Sequence, residues 1–512
     1  MRLGAQIREI KMFDLLIKNG RIIDGTGAEP YLADVGIKDG KILEIGKSLS
    51  GAVSEIDATG LVVTPGFIDS HSHSDNAVLS FPEMIEKCEQ GITTSVGGQC
   101  GSSAFPFPAS KDERVRSAEA FFAAAKDIPL GSNLITFVGH STIRNAVMGK
   151  ANRAPTADEL EKMKELVRDA LRNGALGMTT GLIYIPGSYA DTAELIELAR
   201  VAAEEGGMLA SHIRSESDSL VKAVGEFLEI AKAAGARGVI SHHKTCFERN
   251  YGKVKETLRM IDEANEGGAD IYLDVYPYTA SSTSHSTRFI PKEYFADGKV
   301  LENLADPDTR AKIKARFKSE HERIDWVLVS SCAEHKEYVG KFVYEIADMM
   351  GCEDIEAALR IVELSKNTAT SCSFTMNEDD VATVMAHPRA MICTDSSVAK
   401  NAAAYHPRLR ASFPRAIRRF VRELGVVSLP EMIRKMTSLP AYVYNLEGKG
   451  EIKLGYDADI CIFDYEKLTD RADYATPGLR AEGLNYVIAG GKIIAKDAIY
   501  TGEKPCKIIK HT

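Results

Sequence analysis

Through the middle of the chain, short apolar runs alternate with longer stretches in which apolar residues recur at helical spacing. The helical stretches, such as TADELEKMKELVRDALRNG and TAELIELARVAAEEG, carry apolar residues at i, i+3 and i+4. The short runs are LVVTPGFIDSHSH, GITTSVGGQCG, NLITFVGHST, ALGMTTGL, GMLASHIRSE, GVISHHKT, DIYLDVYPY and RAMICTDSS. Eight buried strands that alternate with helices predict an α/β fold, a (β/α)8 TIM-like barrel.

The regular spacing breaks once, before the last predicted strand. About a hundred residues separate DVYPY from MICTDSS, which is too long for one crossover helix. We therefore expect an insertion before the last barrel strand.

Both ends of the chain show strand patterns of a different kind. FDLLIKNGRIIDGTG near the start and YVIAGGKIIAKDAIYTG near the end contain short strand-like runs joined by tight, glycine-containing turns. The termini of a domain often lie close together. We therefore expect a small β-sandwich domain made of residues 1–64 and 447–512, with the barrel at 65–446.

Composition narrows the class of protein. Hydrophobic residues make up 44% and charged residues 26% of the chain, as in ordinary globular proteins. The net charge of −9 argues against a nucleic-acid surface, and no apolar run approaches the ~18 residues of a membrane span. The start lacks a signal-peptide pattern, and the nine cysteines include no C-x-x-C pair, which favours the reducing cytoplasm. We expect a cytoplasmic protein that acts on a small molecule, without nucleic-acid or membrane partners.

Residues that commonly bind metals lie at the ends of the predicted strands, where barrel active sites form. His71 and His73 alternate along one strand, so both imidazoles can reach one metal ion. Cys100 lies among glycines in GGQCGSS, and a thiolate is a soft ligand that suits zinc. His212 and His242 end two consecutive strands, which makes the pair candidate zinc ligands.

Each of these residues also has an ordinary structural interpretation. A single cysteine is usually buried and inert, and a single histidine is often hydrogen-bonded in the core. Asp395 in CTDSS could cap a helix, or it could act as a general base beside a metal ion. His140 could support a ligand or cap a loop, and His243, which alternates away from His242, is predicted to be structural.

The motifs taken together resemble those of the amidohydrolase superfamily, and within it the D-aminoacylase (N-acyl-D-amino-acid deacylase) family. GFIDSHSHSD resembles the superfamily's metal signature on the first strand, and QGITTSVGGQCGSS resembles the family's cysteine-bearing segment. The later motifs follow in the family's order: SHIRSE, SHHK, DVYPYTASST and HPRLRASFPRAIRRFVRE. The stretch LGYDADICIFD resembles the C-terminal segment that is common in the superfamily.

The resemblance implies a site and an activity. It implies zinc-dependent hydrolysis of N-acyl-D-amino acids to a carboxylate and a free D-amino acid, with an inserted lid at about 284–345. It implies one tightly bound Zn2+ on Cys100, His212 and His242, a weaker second metal position framed by His71 and His73, and Asp395 as the catalytic acid and base. The residues that it implies for substrate binding are Lys244, Tyr184, Tyr276, Ser282, Arg288 and Arg408.

Some features depart from the family pattern, and alternatives stay open. The motif CTDSS has Ser396 where the family usually has glycine, and GGQCG stands where GNCG is more common. The segment GALGMTTGLIY lacks the fourth-strand lysine of dihydroorotase-like and hydantoinase-like relatives, which counts against most cyclic-amide branches. Hydrolysis of another linear or cyclic amide, as by a dipeptidase or a hydantoinase, is the alternative. A non-enzymatic scaffold that has lost its metals is a third hypothesis.

Overall fold

The computed structural model describes residues 12–320, 324–398 and 406–511. Its strands, in chain order, are β1 (Phe13–Ile22), β2 (Tyr31–Lys38), β3 (Lys41–Gly46), β4 (Ala52–Asp57), β5 (Val62–Pro65), β6 (Phe67–Asp69), β7 (Ile92–Gly97), β8 (Asn133–Thr136), β9 (Val138–Gly139), β10 (Gly177–Gly181), β11 (Met208–His212), β12 (Gly238–Ile240), β13 (Ile271–Val275), β14 (Ser281–Ser284), β15 (Val327–Ser331), β16 (Thr370–Ser373), β17 (Ala390–Ile392), β18 (Ile460–Phe463), β19 (Leu484–Ala489), β20 (Lys492–Lys496) and β21 (Ile499–Tyr500).

The α-helices follow the same order. They are α1 (Ile85–Cys88), α2 (Ala118–Ala125), α3 (His140–Met148), α4 (Ala157–Asn173), α5 (Thr192–Glu204), α6 (Leu220–Ala234), α7 (Lys253–Glu266), α8 (Ser286–Phe289), α9 (Val300–Ala305), α10 (Pro307–Glu320), α11 (Val343–Met350), α12 (Asp354–Leu364), α13 (Glu378–Ala386), α14 (Arg408–Arg415), α15 (Leu429–Met436) and α16 (Ser438–Val443). A π-helical segment, Ala416–Glu423, continues α14. Among the described residues, no helix combines the length and the apolar character needed to cross a membrane.

Eight parallel strand positions form the barrel. β6, β7 and β8 pair in one run, and β9, β10, β11, β12, β13 and β17 pair in another. β8 and β9 are one strand position interrupted at Phe137, and the Ser70 hydroxyl donates to the Ile392 carbonyl at 2.9 Å, which joins the first strand to the last. The strands are buried along their full lengths, as expected where helices cover a parallel sheet. The predicted fold class is confirmed.

The local sequence explains why the barrel helices form where they do. In α4, the Thr156 hydroxyl and the Glu159 carboxylate cap the first turn reciprocally, and Gly174 ends the helix in the left-handed conformation. Met163 and Val167, four residues apart, are fully buried against the sheet. Burial of each such side chain contributes about 1.5–3 kcal/mol.

A second, β-rich unit is built from both ends of the chain. Its mixed sheet runs in the order β21-β20-β19-β18-β5-β1-β2-β3, and β4 pairs with β1. β5 lies antiparallel to β18, with Val63 opposite Ile462, so segments about 400 residues apart share one apolar core.

The long connection between β13 and β17 folds as a layer of its own. β16 is the central strand of a three-stranded antiparallel sheet and pairs with both β14 and β15. This layer has a separate apolar core that includes Phe289 and Leu359. It therefore extends past the limit of 345 expected from the sequence, because its central strand ends only at Ser373.

Candidate metal centre and active site

The predicted metal ligands all lie at or just after the carboxyl ends of barrel strands. His71 and His73 come directly after β6, Cys100 follows β7, and His212 is the last residue of β11. His242 follows β12 in the same way. Because the carboxyl ends of parallel strands meet at one end of a barrel, these side chains converge.

The Cys100 thiol is the centre of this cluster. Its Sγ lies 3.3 Å from His71 Nε2, 3.3 Å from His242 Nε2 and 3.6 Å from His212 Nδ1. Two sets of residues could each hold a metal ion. Within each set the ligand atoms all lie within 4.8 Å of one another, and Cys100 belongs to both sets. The first set is Cys100, His212 and His242, and the second is His71, His73, Cys100 and Asp395.

The donor atoms fit zinc. A tetrahedral zinc ion with a Zn–S bond of about 2.3 Å and Zn–N bonds of about 2.0–2.1 Å requires sulfur-to-nitrogen distances of about 3.6 Å. The distances from Cys100 Sγ to His242 and His212 are 3.3 and 3.6 Å. Three protein ligands of the Cys and His type leave a fourth position open for water or substrate, which is the pattern of catalytic zinc sites.

The charges around Cys100 favour its thiolate form. Burial raises the pKa of the Cys100 thiol, but the positive charges of His71 and His242 outweigh burial and hold the pKa well below its usual value. Burial lowers the pKa of His71, but the Cys100 thiolate and Asp274 outweigh it and raise that pKa well above its usual value. A thiolate is the form of cysteine that binds metal ions.

The backbone at the site is held in an unusual conformation. Cys100, His242 and Asp395 have positive φ angles of 54°, 35° and 47°. Non-glycine residues in this region cost on the order of 1–3 kcal/mol each, and such strain clusters at functional sites. The strain turns three side chains from three different strands toward one point.

Asp395 lies beside the histidines of the second set. Its Oδ1 is 3.3 Å from His73 Nε2 and 3.5 Å from His71 Nε2, and its Oδ2 accepts from Arg408 Nη1 at 2.6 Å. Burial raises the pKa of Asp395, but Arg408 and the neighbouring histidines outweigh burial and hold the pKa well below its usual value. Asp395 is therefore a charged carboxylate fixed against the cluster.

Two carboxylates that the sequence interpretation missed orient the ligands. Glu216 Oε1 lies 3.0 Å from His242 Nδ1, and its Oε2 lies 3.8 Å from His212 Nε2. Asp274 Oδ1 accepts the His242 backbone N–H at 2.7 Å and lies 3.5 Å from His71 Nδ1. Carboxylates behind ligand histidines fix the ring orientation and raise the basicity of the ligand. Glu216 stands within SHIRSE, four residues after His212, which was the one sequence signal for it.

A cavity of about 560 Å3 opens over the cluster. The sequence-predicted residues that line it are His73, Cys100, Tyr184, Ser282, Asp395 and Arg408. The Tyr184 hydroxyl accepts from Thr283 at 3.2 Å, which ties the loop after β10 to the inserted layer.

Tyr276 and Lys244 lie together, but both are buried and neither belongs to the described lining of this cavity. The Tyr276 ring lies between two cations, with Lys244 Nζ 5.4 Å and the Arg408 guanidinium carbon 5.1 Å from the ring centroid. Lys244 Nζ is also 2.7 Å from His242 Nδ1 and donates to Glu216. Lys244 therefore contacts the candidate ligand His242, the carboxylate behind it and the Tyr276 ring.

Three of the singled-out residues lie elsewhere. Arg288 lines a second, adjacent cavity and is absent from the described lining of the first. His140 Nε2 lies 2.9 Å from Glu194 Oε1, and His243 Nε2 lies 2.8 Å from Thr257 Oγ1 on α7. Burial lowers the pKa of His243 to about 3, so this histidine is a neutral residue of the helix layer.

A fully buried lysine beneath the site was also missed. Lys87 Nζ donates to Asp69 Oδ2 and to Thr394 Oγ1, each at 2.8 Å, and to the carbonyl and hydroxyl oxygens of Ser396 at 3.1 Å. Asp69 is the last residue of β6, the first strand position, and Thr394 and Ser396 flank Asp395 after the last strand, β17. The Lys87 ammonium therefore ties together the two ends of the barrel wall directly under the carboxylate.

Comparison with known proteins finds two matching family models and similar proteins along nearly the whole chain. A model of the amidohydrolase family matches residues 54–300 and 346–495, and a model of the N-terminal domain of the urease alpha-subunit matches residues 1–67. The chain is 36% identical over 490 residues to the N-acyl-D-glutamate deacylase of Alcaligenes xylosoxydans xylosoxydans, with 93% of each chain covered.

Two solved structures are similar over nearly the whole chain. One is the N-acyl-D-glutamate deacylase of Bordetella bronchiseptica, complexed with zinc and a phosphonate inhibitor that mimics the tetrahedral intermediate of the reaction. It is 34% identical with a TM-score of 0.85, and the match covers 98% of this chain and 100% of that one. The other is a D-aminoacylase studied for its binuclear metal centre, with one-metal activation and second-metal attenuation. It is 33% identical with a TM-score of 0.82, and the coverage is again 98% and 100%.

Proposed function

The chain belongs to the amidohydrolase family, in its N-acyl-D-amino-acid deacylase branch, and we propose that it hydrolyses the amide bond of N-acyl-D-amino acids to a carboxylate and a free D-amino acid. The observation that carries this proposal is the shared position of Cys100 between two sets of metal ligands with Asp395 at their edge. Two relatives of 36% and 33% identity that match nearly the whole chain are an N-acyl-D-glutamate deacylase and a D-aminoacylase, and their names support this activity.

In this proposal Cys100, His212 and His242 would hold one tightly bound zinc ion. His71 and His73, with Asp395 and Cys100 beside them, would frame a weaker second metal position. When bound, zinc supplies Lewis acidity that polarises the amide carbonyl and makes water a better nucleophile at neutral pH. Glu216 and Asp274 keep His242 in the orientation that the ion requires.

Asp395 moves the proton. As a carboxylate it takes a proton from the attacking water, and it then gives that proton to the amine nitrogen as the amide bond breaks. Its Oδ1 faces the histidines, whereas its Oδ2 is held by Arg408 at 2.6 Å. The guanidinium keeps this base charged and prevents it from rotating away between the two transfers.

The remaining predicted residues bind substrate. Tyr184 and Lys244, beside His212 and His242, are suited to the carbonyl oxygen and the charge that develops on it. Ser282 and Arg408 line the cavity and are suited to the α-carboxylate, and the Tyr276 ring packs against the Arg408 guanidinium and supports its position. In this assignment the layer inserted between β13 and β17 covers the site as a lid. We also propose a cytoplasmic location, since all nine cysteines are free thiols.

The test is amine release by the zinc-loaded protein from matched N-acetyl-D- and N-acetyl-L-amino acids. We expect turnover of D substrates and little or none of their L partners. If the protein hydrolyses hydantoins or dihydroorotate but none of the N-acyl amino acids, the cyclic-amide alternative is favoured. If the protein binds one zinc ion per chain and hydrolyses none of these amides, the proposal is contradicted.

A further inference from the structure

A buried segment before β7 contacts the neighbours of both Asp395 and Arg408. It consists of residues Glu86–Gln90, the last three residues of α1 and the two that follow, and we call it the α1 segment. All five of its residues are buried, and all but Cys88 have charged or polar side chains. Such side chains are rarely buried unless they are paired, so their partners show what the segment holds in place.

On one side the α1 segment holds Asp395. Lys87 Nζ donates to Thr394 Oγ1 at 2.8 Å and to the Ser396 carbonyl oxygen at 3.1 Å, and these residues directly precede and follow Asp395. Asp395 itself has a positive φ of 47°, a conformation that persists only where the surroundings hold it. Lys87 therefore supports the strained residue that carries the catalytic carboxylate.

On the other side Gln90 holds the beginning of α14, which carries Arg408. Gln90 Nε2 donates to the Leu409 carbonyl oxygen at 2.8 Å, and its Oε1 accepts the Phe413 backbone N–H at 3.5 Å. The same Nε2 donates to the Glu86 carbonyl oxygen at 2.9 Å, which fixes the amide to α1. Because Leu409 directly follows Arg408, the Gln90 amide determines where the first turn of α14 lies.

Glu89 holds the next residue of the same turn. Its Oε2 accepts from Arg410 Nη1, and its Oε1 accepts from Arg480 Nε at 2.8 Å and from the Tyr500 backbone N–H at 3.3 Å. Tyr500 ends β21, so α14 and the β-rich unit share one buried carboxylate. Hydrogen bonds between charged groups are among the stronger ones, and the Arg410 contact therefore fixes α14 at a second point.

The contact between Arg408 and Asp395 depends on the positions of two separate stretches of backbone. Asp395 follows β17, whereas Arg408 begins α14, and their side chains meet at 2.6 Å. A charge-assisted hydrogen bond of this length needs close alignment of donor and acceptor. The α1 segment is bonded to the neighbours of both residues, although none of its side chains belongs to the described lining of the cavity at the metal site. It acts on the pair through the backbone.

We infer that Gln90 and Glu89 are positioning residues for the reaction. Through the first turn of α14 they hold the Arg408 guanidinium against the Asp395 carboxylate, and Lys87 supports the carboxylate from the other side. This inference rests on the proposed deacylase function and adds to it residues that do not touch the substrate.

Gln90→Met tests the inference, because methionine is close to glutamine in length but donates no hydrogen bond. kcat/KM is measured for the N-acetyl-D-amino acid that the parent chain hydrolyses fastest. We expect it to fall about 10- to 100-fold, which is the cost of a small misplacement of a reacting group. Zinc per chain should stay unchanged, since none of the predicted metal ligands contacts Gln90.

Asn133→Leu is the matched control. Asn133 is a buried amide at the amino end of β8, and it likewise donates to one backbone carbonyl, that of Thr93 at 3.0 Å, and accepts one backbone N–H, that of Lys507 at 3.2 Å. Its removal costs stability in the same way, but at the end of the strand that lies away from the metal ligands. kcat/KM should therefore stay within about twofold of the parent value.

A double-mutant cycle with Arg408→Lys separates a positioning role from a merely structural one. If Gln90 acts through Arg408, Gln90→Met lowers kcat/KM by about 10- to 100-fold in the parent chain but by less than about threefold in Arg408→Lys. A residue that only stabilises the fold would change kcat/KM by the same factor in both backgrounds. The free energy of unfolding in urea, measured for all four proteins, records the structural cost separately.

Glu89→Gln gives a second and milder test, which also decides the question if Gln90→Met does not fold. The amide keeps the shape of the side chain but loses the charge that binds Arg410. We expect a several-fold loss of kcat/KM that is again absent in the Arg408→Lys background. Glu256→Gln, at an exposed position on α7, is the control and should leave kcat/KM unchanged.

The outcomes separate this inference from the proposed function. Parent-like kcat/KM in Gln90→Met and Glu89→Gln, an equal loss in Asn133→Leu, or equal losses in the two Arg408 backgrounds would overturn the inference and leave the deacylase function standing. No hydrolysis of any N-acyl-D-amino acid by the zinc-loaded parent chain would instead overturn the proposed function.

Discussion

Asp395 Oδ2 lies 2.6 Å from Arg408 Nη1, and both side chains are almost completely buried. The other oxygen of the same carboxylate faces His73 Nε2 at 3.3 Å. A carboxylate held at both oxygens has one orientation, and the buried Arg408 guanidinium beside it favours its charged form. This arrangement suits a base that takes up a proton and returns it within one catalytic cycle.

Asp395→Asn should therefore retain zinc and lose turnover. The amide keeps the shape of the side chain but cannot accept the proton from water, and general acid–base catalysis contributes about 10²- to 10⁴-fold. The measurement is kcat together with zinc per chain, and Asp127→Asn, on an exposed residue, is the control. Turnover within a few-fold of the parent chain would remove Asp395 from the proton-transfer role.

Cys100→Ser should lose zinc, since Cys100 is the one ligand common to both sets. A serine hydroxyl does not ionise at neutral pH and is a much weaker zinc ligand than a thiolate. Metal analysis after dialysis is expected to show far less zinc per chain. With Co2+ in place of zinc, the thiolate-to-cobalt absorption band should disappear. The control is Cys352→Ser, at a half-exposed cysteine, which should change neither the zinc content nor the cobalt spectrum. Full zinc occupancy in Cys100→Ser would contradict the assignment of Cys100 as a ligand.

Glu216→Gln should weaken zinc binding without removing a ligand. Glu216 lies 3.0 Å from His242 Nδ1, and loss of such an orienting carboxylate typically costs about 10- to 100-fold in metal affinity. Competition with a chelator gives the dissociation constant directly. Glu229→Gln, on the exposed face of α6, is the control. An unchanged affinity would show that the histidine needs no carboxylate to hold its orientation.

The barrel and its candidate ligands could be predicted from sequence because their signal is local. Strand residues alternate in direction, so His71 and His73 can be assigned to one face, and the glycines around Cys100 mark a place where the backbone comes close to a ligand. Each ligand also lies at the end of an apolar run, and His71 and His73 share one, so the barrel rule alone places them at the same end.

The supporting residues could not be predicted because their partners are distant in the chain. Thr394 N donates to Asp69 across 325 positions, and Lys87 reaches Ser396 across 309. No periodic pattern links such residues. The end of the inserted layer was missed for the same reason, because β16 pairs with β14 almost ninety residues earlier and resembles an isolated polar strand in sequence.

Lys87→Met should destabilise the barrel. The ammonium and Asp69 are both fully buried, and removal of one partner of a buried pair costs about 3–5 kcal/mol. Urea denaturation should show this loss in the free energy of unfolding. Lys467→Met, whose parent side chain is highly exposed, should change it by less than about 0.5 kcal/mol. A loss below about 1 kcal/mol in Lys87→Met would contradict a structural role for the Lys87–Asp69 pair between the first and last strands.

His285 should make the inserted layer sensitive to acid. Its Nε2 lies 3.1 Å from the Ala358 carbonyl oxygen, its Nδ1 contacts the Ser371 hydroxyl, and burial lowers its pKa to about 4. The unfolded chain binds the proton near pH 6.5, so stability is complete above that value and is lost as the pH falls toward 4, by about 3 kcal/mol in all. Hydrogen exchange of β14 and β16 at pH 7 and pH 4.5 measures the loss. His285→Gln should flatten this dependence, whereas His335→Gln, at a more exposed position, should not; equal slopes in all three proteins would mean that other buried groups govern the acid response.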